Sequence, residues 1–370
     1  MSIIELLKSM NHYACHYAQM PRAFSDITPI ARNGNGWVGK SRMSIILDVL
    51  YMFFILKLHP RNYYLFRFHL KSRSEFKKYI DAPNAPLLKH RLYKSLWAED
   101  YTCLVNDKYI FHNYCRYHGI AVPRIYGILS MGSVVGTGES LAGIMRANGL
   151  ERLILKPVGG GAGEGIHFAT YSNGKLDVVP ATKNDNKLGE PGIDKGDFVI
   201  QEIIRQHHDL ERINPNSVNT IRIITLYTLD NKVEFLAAML RTSSGRIPLD
   251  NFSTGGIVIK IDMGTGRLIG RGFMTDSYIR EIASHPLTGI TFHNYPIPHW
   301  DKVKRLAIRA QNIFCNIKAI GWDFAITPDG PTIIEGNIEW GTAGIQATNG
   351  GLLTPKNRKL FAQYGLKFDE

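Results

Sequence analysis

Hydrophobic positions divide the chain into a helical front and a strand-rich remainder. Residues 1–100 read as helical, with basic and aromatic insertions such as HPRNYYLFRFHLKSR at 59–73. Their most apolar stretch, Ile45 to Leu58, holds Asp48 and Lys57 and falls short of the ~20 residues a bilayer span needs. It predicts a buried helix, with an interfacial anchor as the other reading. Asn106 and Asp107 can cap a helix running to about His118, which Gly119 can end. IAVPRIYGIL at 120–129 reads as strand and turn, and ESLAGIMRA as a short helix stopping at Asn148-Gly149. Strands then dominate: RLILKP at 152–157, GDFVIQEII at 196–204, TIRIITLYT at 220–228, KVEFLAAMLR at 232–241 and GGIVIKID at 255–262. Leu229-Asp230-Asn231 predicts a hairpin between two of them. From Asp301 to Lys318 the apolar period changes to that of an amphipathic helix: Val303, Leu306, Ala307, Ala310, Ile313, Phe314 and Ile317 share one face. AIGWDFAI, a TPDG turn at 327–330 and TIIEGNI follow. The pattern is α+β, with a largely antiparallel sheet in the C-terminal half.

Composition narrows the class of partner. Apolar residues at 44% and charged ones at 21% exclude a disordered chain. Lys plus Arg number 44 against 32 acids, a net charge of +12 that favours anionic ligands, including an anionic membrane face. No nucleic-acid readout module accompanies that charge, so nucleic acid is not an expected partner. Cys15, Cys103, Cys115 and Cys315 form no CxxC or Cys/His cluster, which points to reduced thiols and no structural zinc. The N-terminus lacks the apolar stretch and small-residue cleavage site of a secretory signal. A cytoplasmic protein is expected, with its inner membrane face as an open alternative.

Candidate chemistry concentrates at the last hairpin. Period-two geometry puts Glu335 and Asn337 on one sheet face, and a tight turn brings Asp323 close to Glu335. Two carboxylates and an amide oxygen on one half-buried face repel each other unless a cation lies between them, and hard oxygen donors suit Mg²⁺. The bland alternative is a solvated strand face. Lys156 is delivered by a strand into a loop containing Gly159, Gly160, Gly161, Gly163 and Gly165. Such a loop lets backbone N–H groups close around phosphates, with Lys156 as a point charge, or else it is a plain surface hairpin. No amphipathic helix follows it, which argues against a dinucleotide fingerprint. In QEII at 201–204, backbone groups around Ile203 and Ile204 can pair with an adenine edge, and Glu202 can accept from its amino group. Arg222 and Arg241 sit amid apolar residues and need a carboxylate or phosphate partner; pairing with Asp323 or Glu335 is the plain alternative. DNFSTGG at 250–256 places Asn251 near a bound group.

Three other features are set aside. Gly34 to Ser41 satisfies G-x-x-x-x-G-K-S/T, but DITPIARN before it is no buried strand, and Trp37 and Val38 are bulky where backbone must wrap a phosphate. His207 and His208 are adjacent, so on regular structure their rings diverge as surface histidines. No Ser/His/Asp signature is present.

In order, Lys108, Lys156 with its glycine loop, Gln201-Glu202 at a strand end, Arg222, Arg241 and then Asp323, Glu335 and Asn337 resemble the ATP-grasp superfamily of carboxylate–amine ligases. HPRNYYLFRF, NPNSVNTIRIIT, LDNFSTGG and GWDFAITPDGPTIIEGNIEWG resemble its sugar-transfer-associated family, over roughly residues 45–350. The resemblance implies an ATP-grasp fold, two α+β lobes gripping ATP. The lid and small lobe would lie at 101–200, the central lobe with the metal site at 201–370, and 1–100 would form a helical extension. It implies that Lys108, Lys156, Gly160, Gly161 and Gly163 meet phosphates, that Gln201, Glu202 and Ile204 meet adenine, and that Asp209 meets ribose. Asp323, Glu335 and Asn337 would hold Mg²⁺, and Arg222, Arg241 and Asn251 would serve the acyl chemistry. The expected reaction joins a carboxylate to an amine through an acylphosphate, with an anionic sugar or amino acid as substrate. A phosphotransferase acting on a hydroxyl, or a non-catalytic polysaccharide or membrane-surface binder, are the alternatives.

Overall fold

A computed structural model describes residues 40–60, 62–80, 96, 99–161, 163–181, 193, 196–245, 252, 255–275, 279–366 and 368. Six strands form a first antiparallel sheet: β1 (Ile125–Ser130), β2 (Ser133–Val134), β3 (Arg152–Pro157), β4 (His167–Ser172), β5 (Lys175–Pro180) and β6 (Asp197–Glu202). Their order is β2-β1-β6-β3-β4-β5. Alternation sets the two faces of this sheet. Leu153 and Leu155 of β3, with Phe198 and Ile200 of β6, pack against Leu141, Ile144 and Met145 of the helix Leu141–Ala147. The intervening Ile154, Lys156 and Gln201 face a cleft. That helix has Ser140 as its N-cap, and Gly149 follows it at φ +63°, matching the stop expected at Asn148-Gly149.

A second antiparallel sheet holds β7 (Thr220–Tyr227), β8 (Val233–Thr242), β9 (Ile257–Ile261), β10 (Leu268–Thr275), β11 (Ile279–Ile282), β12 (Ala319–Thr327) and β13 (Gly330–Asn337). The order is β11-β10-β9-β8-β7-β12-β13. It is covered on both faces. Ile221, Ile223, Leu240, Ile259, Trp322 and Phe324 pack against Val303, Ala307 and Ala310 of the helix Trp300–Ile313. The opposite face, with Leu226, Met239, Val258 and Ala319, lies under Val49, Met52, Tyr63, Phe68 and Phe76, and under Ile345 and Phe361. The described part of residues 45–80 therefore belongs to the core of the large sheet. The expected helix at 301–318 ends at Ile313, but Phe314 and Ile317 after it stay buried in the same cluster.

Ile45 to Leu58 forms the end of the helix Arg42–Leu50 and a π-helical turn, Tyr51–Ile55. Asp48 interrupts this apolar run because its buried carboxylate binds Lys40 Nζ at 2.6 Å, Arg73 Nε at 2.7 Å and Tyr63 Oη at 3.0 Å. No helix among the described residues is long and apolar enough to cross a membrane. Cys103, Cys115 and Cys315 are free thiols; Cys15 lies outside the described residues.

Candidate active site

Between the sheets lies a cleft of about 650 Å³, within the range of nucleotide-sized ligand pockets. One side is the small sheet's open face. Lys156 reaches the cleft from β3, and the glycine loop, with Gly161 and Gly163 on its lining, joins β3 to β4. Gly160 and Gly163 take φ of +86° and +78°, values that favour glycine. Lys108 enters beside them. Asp107 caps its helix by accepting from Tyr109 N and Ile110 N, both at 2.8 Å, as the sequence expects. Lys108 Nζ donates to Gly160 O at 2.9 Å, so this lysine tethers the loop to the helix end. Burial lowers its pKa, and the charges of Glu335 and Asp107 offset part of that shift.

The other side is the cleft-proximal end of the large sheet. Register places Arg222 opposite Asp323, and Asp323 opposite Glu335, so three charged residues form one row across β7, β12 and β13. Gly321 opposite Asn337 sets Asn337 on the same face. Arg222 holds Asp323 in a two-pronged pair, Nε to Oδ1 at 2.7 Å and Nη2 to Oδ2 at 2.5 Å. Arg241 Nη1 adds a third bond to Oδ2 at 3.0 Å. Asn337 Nδ2 donates to Glu335 Oε1 at 3.2 Å. The expected approach of Asp323 to Glu335 is present. Glu335 and Asn337 are half-buried, as expected of this face, whereas Asp323 lies deeper, only 3% exposed beneath its two arginines.

This packing divides one proton unequally. Burial alone would raise the pKa of Asp323, but Arg222 and Arg241 outweigh it and hold the group below the usual carboxylate range. Glu335 goes the other way: burial and then the neighbouring Asp323 carboxylate push it up, and the arginines offset only part. Two carboxylates this close favour a proton or a cation between them, and Arg222, 3.9 Å from Glu335, neutralises the second only in part. The donor set thus fits a hard divalent ion. Glu335 and Asn337 supply the accessible oxygens, while Asp323 has three of its four lone-pair sites taken by guanidinium N–H groups.

The end of the cleft expected to meet adenine carries an unused acceptor. Gln201, on β6, lines the cleft with a buried Oε1 that has no hydrogen-bond partner among the described residues. An amino group brought to it would satisfy that acceptor. Ile203 and Ile204 line the cleft just beyond β6. Glu202 also lines it, but one of its oxygens accepts from Arg124 N at 2.8 Å, which ties β6 to the chain entering β1.

One sequence-derived candidate falls elsewhere, and another lies outside the described residues. Asp209 is not on the cleft wall; its carboxylate lies 3.0 Å from His208 Nε2, and Glu211 of the same helix lines the cleft instead. Asn251 lies outside the described residues. The divergence expected of His207 and His208 is overturned: their rings stack at 4.4 Å, because His207 is the non-helical N-cap and only His208 is in the helix. In the G-x-x-x-x-G-K-S match, residues 34–39 lie outside the described residues. Lys40 is committed to Asp48, and Ser41 caps the following helix.

Comparison with solved structures reports likeness at low identity. Biotin carboxylase from Campylobacter jejuni matches 72% of this chain and 48% of its own at 13% identity and a TM-score of 0.41. N5-carboxyaminoimidazole ribonucleotide synthetase from Thermotoga maritima matches 73% and 52% at 12% identity and a TM-score of 0.38. ATP-grasp ligase PsnB, with precursor peptide PsnA2 and AMPPNP, matches 73% and 62% at 15% identity and a TM-score of 0.36. The chain spans about half the length of the first solved structures it matches, 45% and 52%. A search of curated proteins finds no match. The family model described as sugar-transfer associated ATP-grasp matches residues 87–361, and the chain belongs to that family.

Proposed function

We propose that the protein is an ATP-dependent carboxylate–amine ligase. The observation that carries this reading is the opposition of Lys108, Lys156 and the glycine hairpin to the Arg222–Asp323–Glu335 row across one cleft. In this reading the two lysines neutralise phosphate oxygens, and the hairpin's glycines let its backbone approach them. Gln201 and the Ile203–Ile204 backbone hold adenine. Glu335 and Asn337 hold Mg²⁺, with Asp323 contributing its remaining lone pair; the bound ion would supply charge neutralisation of the phosphates. Arg222 positions Asp323. Arg241, which also lines the cleft, adds positive charge where the carboxylate oxygen and later the oxyanion develop.

The chemistry balances without a protein nucleophile. A substrate carboxylate oxygen attacks the γ-phosphorus, and the bond from that phosphorus to the bridging oxygen breaks, releasing ADP. An unprotonated amine then attacks the acyl carbon. The carbon–oxygen bond breaks, phosphate leaves with the electron pair, and the nitrogen gives up one proton to solvent. The family's description and the chain's positive charge favour an anionic sugar acid or amino acid as one substrate.

The test is Mg²⁺-dependent release of ADP and phosphate, requiring both a carboxylate and an amine. Release of ADP with a phosphorylated hydroxyl product and no free phosphate would select the phosphotransferase instead. Lys156→Ala should weaken nucleotide binding by roughly 2 kcal/mol, ~30-fold, the size of a charge-assisted hydrogen bond. Lys40→Ala should leave nucleotide affinity unchanged, as read by calorimetry; the reverse pattern would return the nucleotide to the N-terminal motif.

A further inference from the structure

His207, His208 and Asp209 lie outside the proposed nucleotide machinery, yet their ligand atoms all fall within 4.8 Å of one another. The Asp209 carboxylate reaches both stacked imidazoles at their edges, with Oδ1 at 3.0 Å from His208 Nε2 and Oδ2 at 3.6 Å from His207 Nδ1. Two donors on one tetrahedral zinc ion, each about 2.0–2.1 Å from it, sit roughly 3.3 Å apart. The observed separations bracket that value. The lone pair of His207 is already oriented. Its Nδ1 accepts from Asp209 N at 3.2 Å, which puts the neutral ring's proton on Nε2 and keeps Nδ1 as the donor atom. A metal ion at Nδ1 would take the place of this hydrogen bond.

The frame around the cluster is fixed from outside. His207 N donates to Ile326 O at 2.6 Å, anchoring the segment to the end of β12. Tyr295 Oη donates to Asp209 O at 2.6 Å. A third imidazole, His299, has its ring 5.5 Å from that of His207, perpendicular to it. Its buried Nε2 has no hydrogen-bond partner among the described residues. His207 is largely buried, whereas the His208 side chain is 75% exposed, so an ion can enter from solvent. Imidazole and carboxylate donors in this number suit zinc or a neighbouring first-row ion, and not the hard Mg²⁺ of the cleft.

We propose that His207, His208 and Asp209 form a transition-metal site distinct from the nucleotide cleft, with His299 or water completing the ion's shell. The same segment bears on the cleft, because Arg205, Gln206 and Glu211 line it on either side of the cluster. An ion bound here would stiffen the turn that follows the adenine-proximal strand end.

Untagged full-length protein, free of nucleotide and in excess Mg²⁺, should be titrated with zinc chloride in a calorimeter, and with Co²⁺ while recording its visible spectrum. The expected result is one saturable ion per chain and the intense visible bands of low-coordinate cobalt. His208→Gln and Asp209→Asn should each weaken binding by roughly tenfold or more. Both side chains are accessible, so these variants should fold, and unchanged thermal unfolding of the ion-free protein checks this. Glu335→Gln should leave zinc affinity unchanged. Absence of saturable uptake, uptake insensitive to His208→Gln, or uptake that follows Glu335 would overturn the proposal. None of these readings depends on turnover, so the site and the ligase reading fail separately.

Discussion

Every residue of β12 from Ala319 to Ile326 is buried, whereas β3 buries only Leu153 and Leu155 and turns Ile154 and Lys156 to the cleft. The two sheets share an antiparallel build but not a mechanical role. The large one is sandwiched between two apolar clusters and carries its functional charges as an inward-facing network. The small one has, among the described residues, one helix packed behind it, and it offers Lys156 and the glycine loop from an open face. A sheet packed on both faces resists displacement of its carboxylates, whereas one with an open face and a glycine loop is less constrained.

Removing Asp323 should break this contrast most severely. Asp323→Ala leaves the largely buried guanidinium groups of Arg222 and Arg241 without their carboxylate, a change that costs about 3–5 kcal/mol. Denaturant unfolding should show that loss. The same measurement on Lys156→Ala should move stability by much less, about 0.5 kcal/mol, because its side chain is only partly buried on the cleft wall. Equal effects from the two would mean that the charged row is solvated and the large sheet is not rigid.

A smaller effect sharpens the same comparison. A Cβ on Gly321 would sit 2.3 Å from Trp340 Cβ, and Trp340 O accepts from Arg222 Nη1 at 3.3 Å. Gly321→Ala must therefore push Trp340 away and disturb the arginine row, costing about 1–3 kcal/mol. A Cβ on Gly160 meets nothing within 4 Å, so Gly160→Ala pays only for its φ of +86°, about 1–2 kcal/mol. Nucleotide affinity read alongside unfolding should separate them: Gly321→Ala lowers stability first, Gly160→Ala binding first.

Much of this arrangement was legible in the residues, and the failures have physical causes. Asp323, Glu335 and Asn337 were found because strand period and turn length fix their register. The glycine hairpin was found because its glycine density has few other uses. The deep burial of Asp323 was not legible, because the groups that cover its carboxylate, Arg222 and Arg241, come from other strands. The pairing of both arginines with one carboxylate was open for the same reason, since it depends on β8 lying beside β7. The His207–His208 stack was missed by assuming regular structure at a helix start, where the N-cap residue is extended at φ −62° and ψ 138°. The role of Gln201 also needed the structure: only there does its buried Oε1 face the cleft with no partner among the described residues.

The mildest prediction concerns protons. Without an ion, Glu335 keeps its proton above the ordinary carboxylate range, because burial and Asp323 both disfavour its charge. The folded state then binds that proton more tightly than the unfolded state. Its contribution to stability is complete below the unfolded pKa and is lost as pH rises through the folded one. A divalent ion taking Glu335 as a ligand must displace the same proton. Mg²⁺ affinity should therefore rise across that interval, by at most about tenfold per pH unit for one proton, and level off above it. Titrations with Mg²⁺, or with Mn²⁺ followed by its paramagnetic relaxation, can record this at several pH values. In Glu335→Gln the rise should disappear along with most of the affinity, whereas Asp323 is already ionised beside its arginines and adds no step of its own. A wild-type affinity that ignores pH across the interval would mean that the ion, if it binds, does not use the Glu335 carboxylate.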